Sequence, residues 1–256
     1  MRLRQFVFVA EKLEPAVEEI SAVLGLEVCY QDPGVGAFGL ENALLPIGGN
    51  FLEVVAPTED GTSAGRYLQR RGGNGGYMVI VHCDDALAER TRITGHGIRD
   101  VWRHDGPEAF ATHFHPADVG GTIISIDSMD NSTSGLDYHN EMADWTWAGP
   151  EWAAHIKTDV TRALVCLDMQ SADPDGMAAV WSMVFDRPVT GGHSPRITLD
   201  NAMLRFVEDK DGRGPGVGGM TLAPQNRPAI MAEAERRGLA TGDNTFMLCG
   251  MRVRLI

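Results

Sequence analysis

The sequence predicts an α+β protein of four βαβββ modules, paired into two domains that each contain a curved, eight-stranded mixed sheet. Three observations lead to this prediction. The order strand, helix, strand, strand, strand recurs along the chain. Apolar residues make up 43% of it, close to the proportion found in globular proteins. Glycine is in excess, with 30 residues, which indicates many tight turns between short strands.

The first module is predicted to span residues 1–57. It begins with the apolar run LRQFVFVA, and residues 13–24 then carry apolar side chains at helical spacing as far as Gly25. Three strand-like runs complete the module: LEVCYQ, VGAFGLENALLPIG and NFLEVVAP. A unit of this size cannot bury a core by itself, so we expect it to pair with a second module.

The second module is predicted at residues 76–127. The strand GYMVIVHCDD leads to a helix at 84–94, in which Asp84 or Asp85 is placed to act as N-cap, and IRDVWRH, AFATHFH and GGTIISID follow as strands. A polar stretch at 128–158 carries three tryptophans and has the composition of a linker. We therefore expect an N-terminal domain at 1–127 and a Trp-rich linker at 128–158.

The C-terminal domain, 159–256, repeats the design more loosely. RALVCLDMQ leads to a helix at 173–185 that opens with Asp173 and Pro174, and a hairpin turns at Asp200 and Asn201. GVGGMTL, a helix at 226–237 and FMLCGMRVRLI form the last module. We expect a degenerate copy of the first domain.

Composition excludes several classes of protein. The chain has 35 acidic and 22 basic residues and no long basic run, so nucleic acid is not an expected partner. No apolar run reaches the length of a membrane span, and no signal peptide is recognisable, so we expect a cytoplasmic protein without a membrane partner. The four cysteines form no CxxC pair, which is typical of reduced thiols. A monomer or a homodimer is expected.

Two phrases, NALLPIGGNFLEVVAP and HPADVGGTIISID, resemble the vicinal oxygen chelate superfamily when taken with the βαβββ repeat. The closest branch is the glyoxalase-like one, and the superfamily also contains bleomycin resistance proteins and extradiol dioxygenases. The resemblance covers residues 1–127 well and 160–256 more loosely. It implies that the concave face of the paired sheet, the cup, binds a small molecule or a metal.

The resemblance also implies one divalent metal, held by ligands from the first and last strand of each module. The corresponding positions here are Gln5, Glu53, Tyr77 and Ser125. Only Glu53 is a strong ligand type, with Gln5 a weak second, so we expect either no cofactor or one divalent metal. The GxGxxG pattern at 214–219 precedes a strand rather than a helix, so no nucleotide cofactor is expected.

The function expected from these residues is that of an isomerase or lyase that moves a proton next to a carbonyl group. Glu53 would be the base and Tyr77 would stabilise the enolate oxygen. The predicted cup and linker positions for substrate binding are Gln5, Phe110, Thr112, Phe114, Ser125, Trp145 and Trp147. The substrate is expected to be a small molecule that is aromatic or carries a carbonyl group.

Two alternatives remain open. The cup could bind a hydrophobic compound without metal, as a binding or resistance protein does. A metal-dependent dioxygenase ranks third, because it needs two histidines and a carboxylate. The family comparison places His82, His113 and His115 on the faces away from the cup, where structural roles are expected.

The linker tryptophans and the second domain each allow two interpretations. Trp145, Trp147 and Trp152 could pack between the halves, or could cover the cup as a lid that stacks on an aromatic substrate. In the second domain, Arg205 and Arg254 could bind an anionic group. The interpretation favoured for Arg205 is an internal ion pair with Asp168.

Overall fold

The first half of the chain contains the predicted alternation of strands and helices. The structure, a computed structural model, describes all 256 residues. The elements of this half are β1 (Arg2–Val9), α1 (Leu13–Leu24), β2 (Leu40–Ile47), β3 (Asn50–Pro57), α2 (Ser63–Arg71), β4 (Gly75–His82), α3 (Ala86–Gly95), β5 (Asp100–Asp105), β6 (Ala109–Phe114) and β7 (Ile123–Met129). Short 3-10 helices lie at Pro33–Phe38, Thr146–Ala148 and Trp152–His155.

The second half repeats this design with shorter strands. Its elements are β8 (Thr161–Ser171), α4 (Pro174–Phe185), β9 (Arg196–Thr198), β10 (Met203–Glu208), β11 (Gly216–Pro224), α5 (Arg227–Arg236), β12 (Ala240–Gly242), β13 (Thr245–Leu248) and β14 (Met251–Leu255). No helix in the structure combines the length and the apolar character needed to cross a membrane.

Two mixed sheets result. The first has the order β2-β3-β1-β4-β7-β6-β5, and the second has the order β12-β13-β14-β11-β8-β10-β9. In each sheet the first strands of two modules are central neighbours, and in the second, third and fourth modules the first and last strands pair in parallel. The α+β class and the pairing of βαβββ modules are therefore confirmed.

Each sheet has seven strands, one fewer than the sequence predicts. The run LEVCYQ contributes only an isolated bridge between Tyr30 and Leu44, and the third module has the matching bridge between Thr190 and Arg196. Pairing at Tyr30 ends early because Asp32 accepts a hydrogen bond from Gly34 and starts a 3-10 helix. Local turn chemistry thus replaces a strand that apolar alternation alone favours.

Polar side chains begin the helices where the sequence places them. Asp85 accepts hydrogen bonds from the backbone N–H groups of Leu87 and Ala88 at the start of α3. Asp173 accepts one from Gly176 at the start of α4, next to Pro174. These caps satisfy N–H groups that the first helical turn leaves without a partner, and the N-cap predicted at Asp84 or Asp85 is Asp85.

The chain divides into two compact units, and each unit takes segments from both halves of the sequence. Unit 1 comprises Met1–Phe6, Tyr77–Thr146 and Cys166–Val217, and unit 2 comprises Val7–Gly76, Trp147–Val165 and Gly218–Ile256. Residues 128–158, predicted as the linker, are shared between the two units. The domain limits at 127 and 159 stay a prediction.

Within unit 2, residues 147–155 pack on the first module. The thiol of Cys29 donates to the carbonyl of Ala148, and Gly149 lies against the ring of Tyr30. The ring of Trp152 meets that of Phe51 edge to face, with 5.0 Å between the centroids. This part of the predicted linker is therefore an ordered cover of β2 and β3.

Replacing Gly149 tests that packing. Gly149 has a φ of +77°, and an added Cβ would lie 2.6 Å from a ring carbon of Tyr30. We expect Gly149→Ala to lower the free energy of unfolding by about 3 kcal/mol, from backbone strain and overpacking together. The measurement is urea unfolding followed by circular dichroism.

The matched control is Gly135→Ala, since Gly135 has a φ of +68° but no atom near the added Cβ. It should lose only the strain contribution of about 1 kcal/mol. Equal losses in the two variants would contradict close packing at Gly149.

Candidate functional site

Glu53 is a buried carboxylate on β3 with a fixed hydrogen-bond donor. It is 6% exposed, and its Oε1 accepts a hydrogen bond of 2.6 Å from Nδ2 of Asn42. The other side-chain atom of Asn42, Oδ1, accepts from the backbone N–H of Asp32 at 2.8 Å. This second bond sets the orientation of the amide, so its NH2 group points at Glu53. The carboxylate is thus held in one position.

Glu53 lies on the face of β3 away from helix α1. On the neighbouring strand, Ala43 lines a surface groove together with Leu13 and Val17 of α1, so Ala43 faces the helix. Leu44 is the residue paired with Glu53, and alternation puts both on the opposite side. We call the side of the first sheet away from its helices the open face. Glu53 is on it, as the sequence predicts.

Gln5 and Trp145 meet within unit 1. The indole Nε1 of Trp145 donates to Oε1 of Gln5 at 2.8 Å. The ring of Trp145 is 1% exposed and contacts the His82 ring, at 5.2 Å between centroids, and the guanidinium of Arg4, at 5.5 Å. Trp145 is therefore an interior residue, and this packing does not match the lid that would stack on a substrate.

Two arginines of β1 hold the segment that carries Trp145. Arg2 donates to the carbonyl of His139, and Arg4 donates to the carbonyls of Glu141 and Ala143. Arg4 is fully buried, and burial lowers its pKa to about 9, still well above neutrality. Charged donors to three backbone oxygens fix residues 139–145 firmly. Trp147 belongs to unit 2 and is half-buried there.

Equivalent backbone hydrogen bonds in the first two modules allow their residues to be matched one by one. The N–H of Ala10 donates to the carbonyl of Val55, and the N–H of Cys83 donates to the carbonyl of Asp127. Counting back from these bonds, Ser125 occupies the place of Glu53, as the sequence predicts. The residue in the place of Gln5 is Met78, one position after Tyr77, which the sequence predicts there.

Four predicted site residues of the second module lie on the helix side of their strands, because the sequence-based assignment is wrong by one residue. Thr112 accepts a hydrogen bond of 2.6 Å from Arg90 of α3, so it faces the helix and not the open face. Phe110 and Phe114 share its face by alternation, and the same applies to Tyr77, which precedes Met78. The reason is physical: a register error of one residue exchanges the two faces of a strand.

The open face of unit 1 carries polar residues that the sequence places elsewhere. Ile80 and His113 both pair with Ser125, and Trp102 pairs with His113, so all four residues lie in one row. In the next row His82 pairs with Asp127. The prediction that His82 and His113 point away from the cup is wrong. The signal that could have found them was the register of β6 against β7.

The two histidines are held as neutral rings. Burial lowers the pKa of His113 to about 4. Burial also lowers the pKa of His82 to about 3, and the charges of Arg4 and Arg2 lower it further. His82 is 0% exposed, and neither ring nitrogen has a hydrogen-bond partner. His115 is structural, since its Nδ1 accepts from the backbone of Ala117.

In the second sheet, Arg205 is committed to an internal ion pair. Its guanidinium binds both carboxylate oxygens of Asp168, at 2.9 and 2.8 Å, across paired positions of β8 and β10. The Asp168 side chain raises the pKa of Arg205. This is the ion pair that the sequence analysis favours. Arg254 is exposed on β14.

The residues present do not fit the divalent metal that the fold class implies. The amide oxygen of Gln5 accepts from Trp145, Glu53 accepts from Asn42, and the hydroxyl of Ser125 donates to Asp127. Met78 offers only a thioether, a soft ligand. No three side chains among His, Cys, Asp and Glu are grouped closely enough to hold a metal ion. We derive no step through a metal.

Paired βαβββ modules with polar groups on the open face define a protein of the vicinal oxygen chelate class. Within that class, the model of the family described as glyoxalase-like domain matches residues 6–185, more than half of the chain. The chain belongs to the glyoxalase-like domain family. No curated protein matches it significantly.

Solved structures agree with this fold. A hypothetical protein from Staphylococcus aureus is 12% identical, with a TM-score of 0.66 over 100% of this chain and 98% of its own. A variant of 4-hydroxymandelate synthase from Streptomyces coelicolor is 15% identical, with a TM-score of 0.70 over 93% and 75%. Methylmalonyl-CoA epimerase from Mycobacterium tuberculosis is 21% identical, with a TM-score of 0.46 over 53% and 92%. At these identities the likeness to the first two structures shows the fold alone.

The buried neutral His82 predicts a loss of stability in acid. Its pKa is about 3 when folded, against an ordinary 6.5, so between these values the unfolded chain binds more protons. The stabilisation is complete above pH 6.5 and is lost as the pH falls. From pH 7 to pH 5 this single group should remove about 2 kcal/mol from the free energy of unfolding.

Urea unfolding at both pH values measures this effect. The fall in stability should be smaller in His82→Leu by that amount, whatever the variant's stability at pH 7. The control His193→Leu changes an exposed histidine and should fall as the wild type does. An unchanged fall in His82→Leu would show that His82 is not kept neutral by burial.

Proposed function

We propose that the protein is a small-molecule isomerase or lyase in which Glu53 transfers a proton at a carbon next to a carbonyl group. The observation that carries this proposal is the held carboxylate on the open face. Glu53 is 6% exposed, and its Oε1 is fixed by one amide donor. A positioned carboxylate removed from bulk water is suited to general acid–base catalysis.

The proposed step uses only this carboxylate and the substrate. A carboxylate oxygen of Glu53 takes a proton from the carbon, and the electron pair of the C–H bond moves to the carbonyl oxygen to give an enolate. Return of the proton to that carbon or to a neighbouring one gives an isomer, and expulsion of a leaving group gives a lyase product.

The proposal does not extend to Tyr77, because alternation places that side chain on the helix face of β4. Ser125 and Gln5, which belong to unit 1, stay predictions for substrate binding. The structural neighbours do not choose between reactions, since one is named as an epimerase and another as a synthase.

Hydrogen exchange in D2O tests the proposal without a known substrate. A panel of small 2-oxo acids, α-hydroxy ketones and aryl ketones is incubated with the protein, and NMR follows the loss of the signal of the hydrogen next to the carbonyl. We expect exchange of at least one compound. Glu53→Gln should slow it about 100-fold or more, since general acid–base catalysis contributes on that scale. The affinity for the same compound should change little.

The control is Glu41→Gln, the same substitution at an exposed position on the helix side of β2. It should exchange at the wild-type rate. Undiminished exchange in Glu53→Gln would remove Glu53 as the base. Binding of a panel compound by the wild type with no exchange would favour the alternative, a binding or resistance protein.

A further inference from the structure

A groove lies on the helix side of the first module, between α1 and β2, within unit 2. Its volume is about 490 Å³, which is within the range of roughly 300–1,000 Å³ that is typical of small-molecule sites. Glu41 and Ala43 of β2 line the groove, whereas Glu53 of β3 faces the other side of the sheet. The groove is therefore separate from the open face.

The groove follows from the early end of the run LEVCYQ. Val28 and Gln31 of this run line the groove, and β2 is the edge strand of its sheet. The run pairs with β2 only at the isolated bridge between Tyr30 and Leu44. The space beside α1 that a complete strand would border is left as a groove.

The inner surface of the groove is apolar. Leu13 and Ala43 are buried, and Val17 and Val28 are half-buried. The stretch from Leu13 to Glu18 extends about 7.5 Å along the axis of α1, which matches a phenyl ring with its first attached carbons. An apolar group of that size can remove the exposed parts of both valines from water.

The rim of the groove is acidic. Three glutamates line it, and no lysine, arginine or histidine does. Glu18 is already neutralised by Arg237, whose guanidinium donates to both of its carboxylate oxygens. Glu14 is exposed and forms no hydrogen bond or ion pair, and Glu41 adds negative potential from β2. A cation complements this rim, and an anion is repelled by it.

The size of the groove suits a small molecule rather than a protein partner. Eight residues line the groove, whereas a stable protein interface takes about 20–30 residues from each side. A primary alkylamine has the same ammonium group as lysine and is charged at pH 7. An amine with one apolar group matches both the acidic rim and the apolar inner surface.

We propose that the groove between α1 and β2 binds a small primary amine with a short apolar body. The ammonium group lies at Glu14, and the apolar body lies against Val17 and Val28. The site does not rest on the proposed function, because it lies on the opposite side of the sheet from Glu53.

The probe is 3-phenylpropylamine at pH 7 and low ionic strength. Protein labelled with carbon-13 in the leucine and valine methyl groups is titrated, and NMR gives both the Kd and the residues affected. We expect a Kd below about 10 mM, with the largest shifts at Leu13, Val17 and Val28. 3-Phenylpropan-1-ol lacks the charge and ethylamine lacks the ring, so each should bind at least about threefold more weakly.

Two variants assign the charge recognition to Glu14. Glu14→Gln should weaken binding of 3-phenylpropylamine about threefold, and Glu14→Lys, which reverses the charge, at least about fivefold. The matched control Glu235→Lys makes the same charge change at another exposed helical glutamate, one that does not line the groove, and should bind as the wild type does. Both positions are exposed, and circular dichroism checks that each variant keeps its fold.

Four outcomes would overturn the proposal. The first three are an absence of binding by the wild type at about 10 mM, the largest shifts outside the groove, and equal affinity for the alcohol. The fourth is an equal loss in Glu14→Lys and Glu235→Lys, which would assign the binding to the net charge of −13 alone. None of these outcomes bears on the exchange activity assigned to Glu53, because this experiment measures binding only.

Discussion

The parallel pairing between the first and last strand of a module determines which side chains face the helix and which face away from it. In the first module the pairing is marked by the bond from Ala10 to Val55, and in the second by the bond from Cys83 to Asp127. A shift of one residue in either bond would exchange the two faces of the strand. Glu53 would then point at α1, and Thr112 would lose its bond to Arg90. The positions of Glu53 and Ser125 on the open face both depend on this register.

The helix sides of the modules help to keep that register. Arg90 of α3 donates to Thr112 and also binds both carboxylate oxygens of Asp105 on β5. A charge-assisted hydrogen bond of this kind is roughly twice as strong as a neutral one. The polar contacts on the helix side therefore have a structural role.

Much of the architecture could be predicted from the sequence, because short stretches of sequence mark where each helix and strand of a module begins and ends. Gly25 ends the first helix, Asp85 and Asp173 begin two others, and apolar runs mark the strands. The position of Glu53 was also predictable, since it lies in the middle of a strand that ends at Pro57. These features each depend on a few neighbouring residues.

The predictions that the structure contradicts concern positions set by pairing between residues that are distant in the sequence. His113 and Thr112 are adjacent in the sequence, and only the register against Ser125 and Ile126 decides which one faces the helix. Likewise, the run LEVCYQ has strand-like alternation, but Asp32 and Gly34 form a local turn that outweighs it. Alternation predicts that two faces exist without showing which is which. This is why the second module's side of the site was assigned to the wrong residues.

The duplicated modules carry different chemistry at matching places. Where unit 2 holds the carboxylate of Glu53, unit 1 has the hydroxyl of Ser125, with the neutral ring of His113 beside it. Neither arrangement supplies a free positive charge, and in the second sheet Arg205 is neutralised by Asp168. The net charge of −13 further repels anions at low ionic strength. The negative net charge is therefore consistent with a neutral carbonyl compound at Glu53.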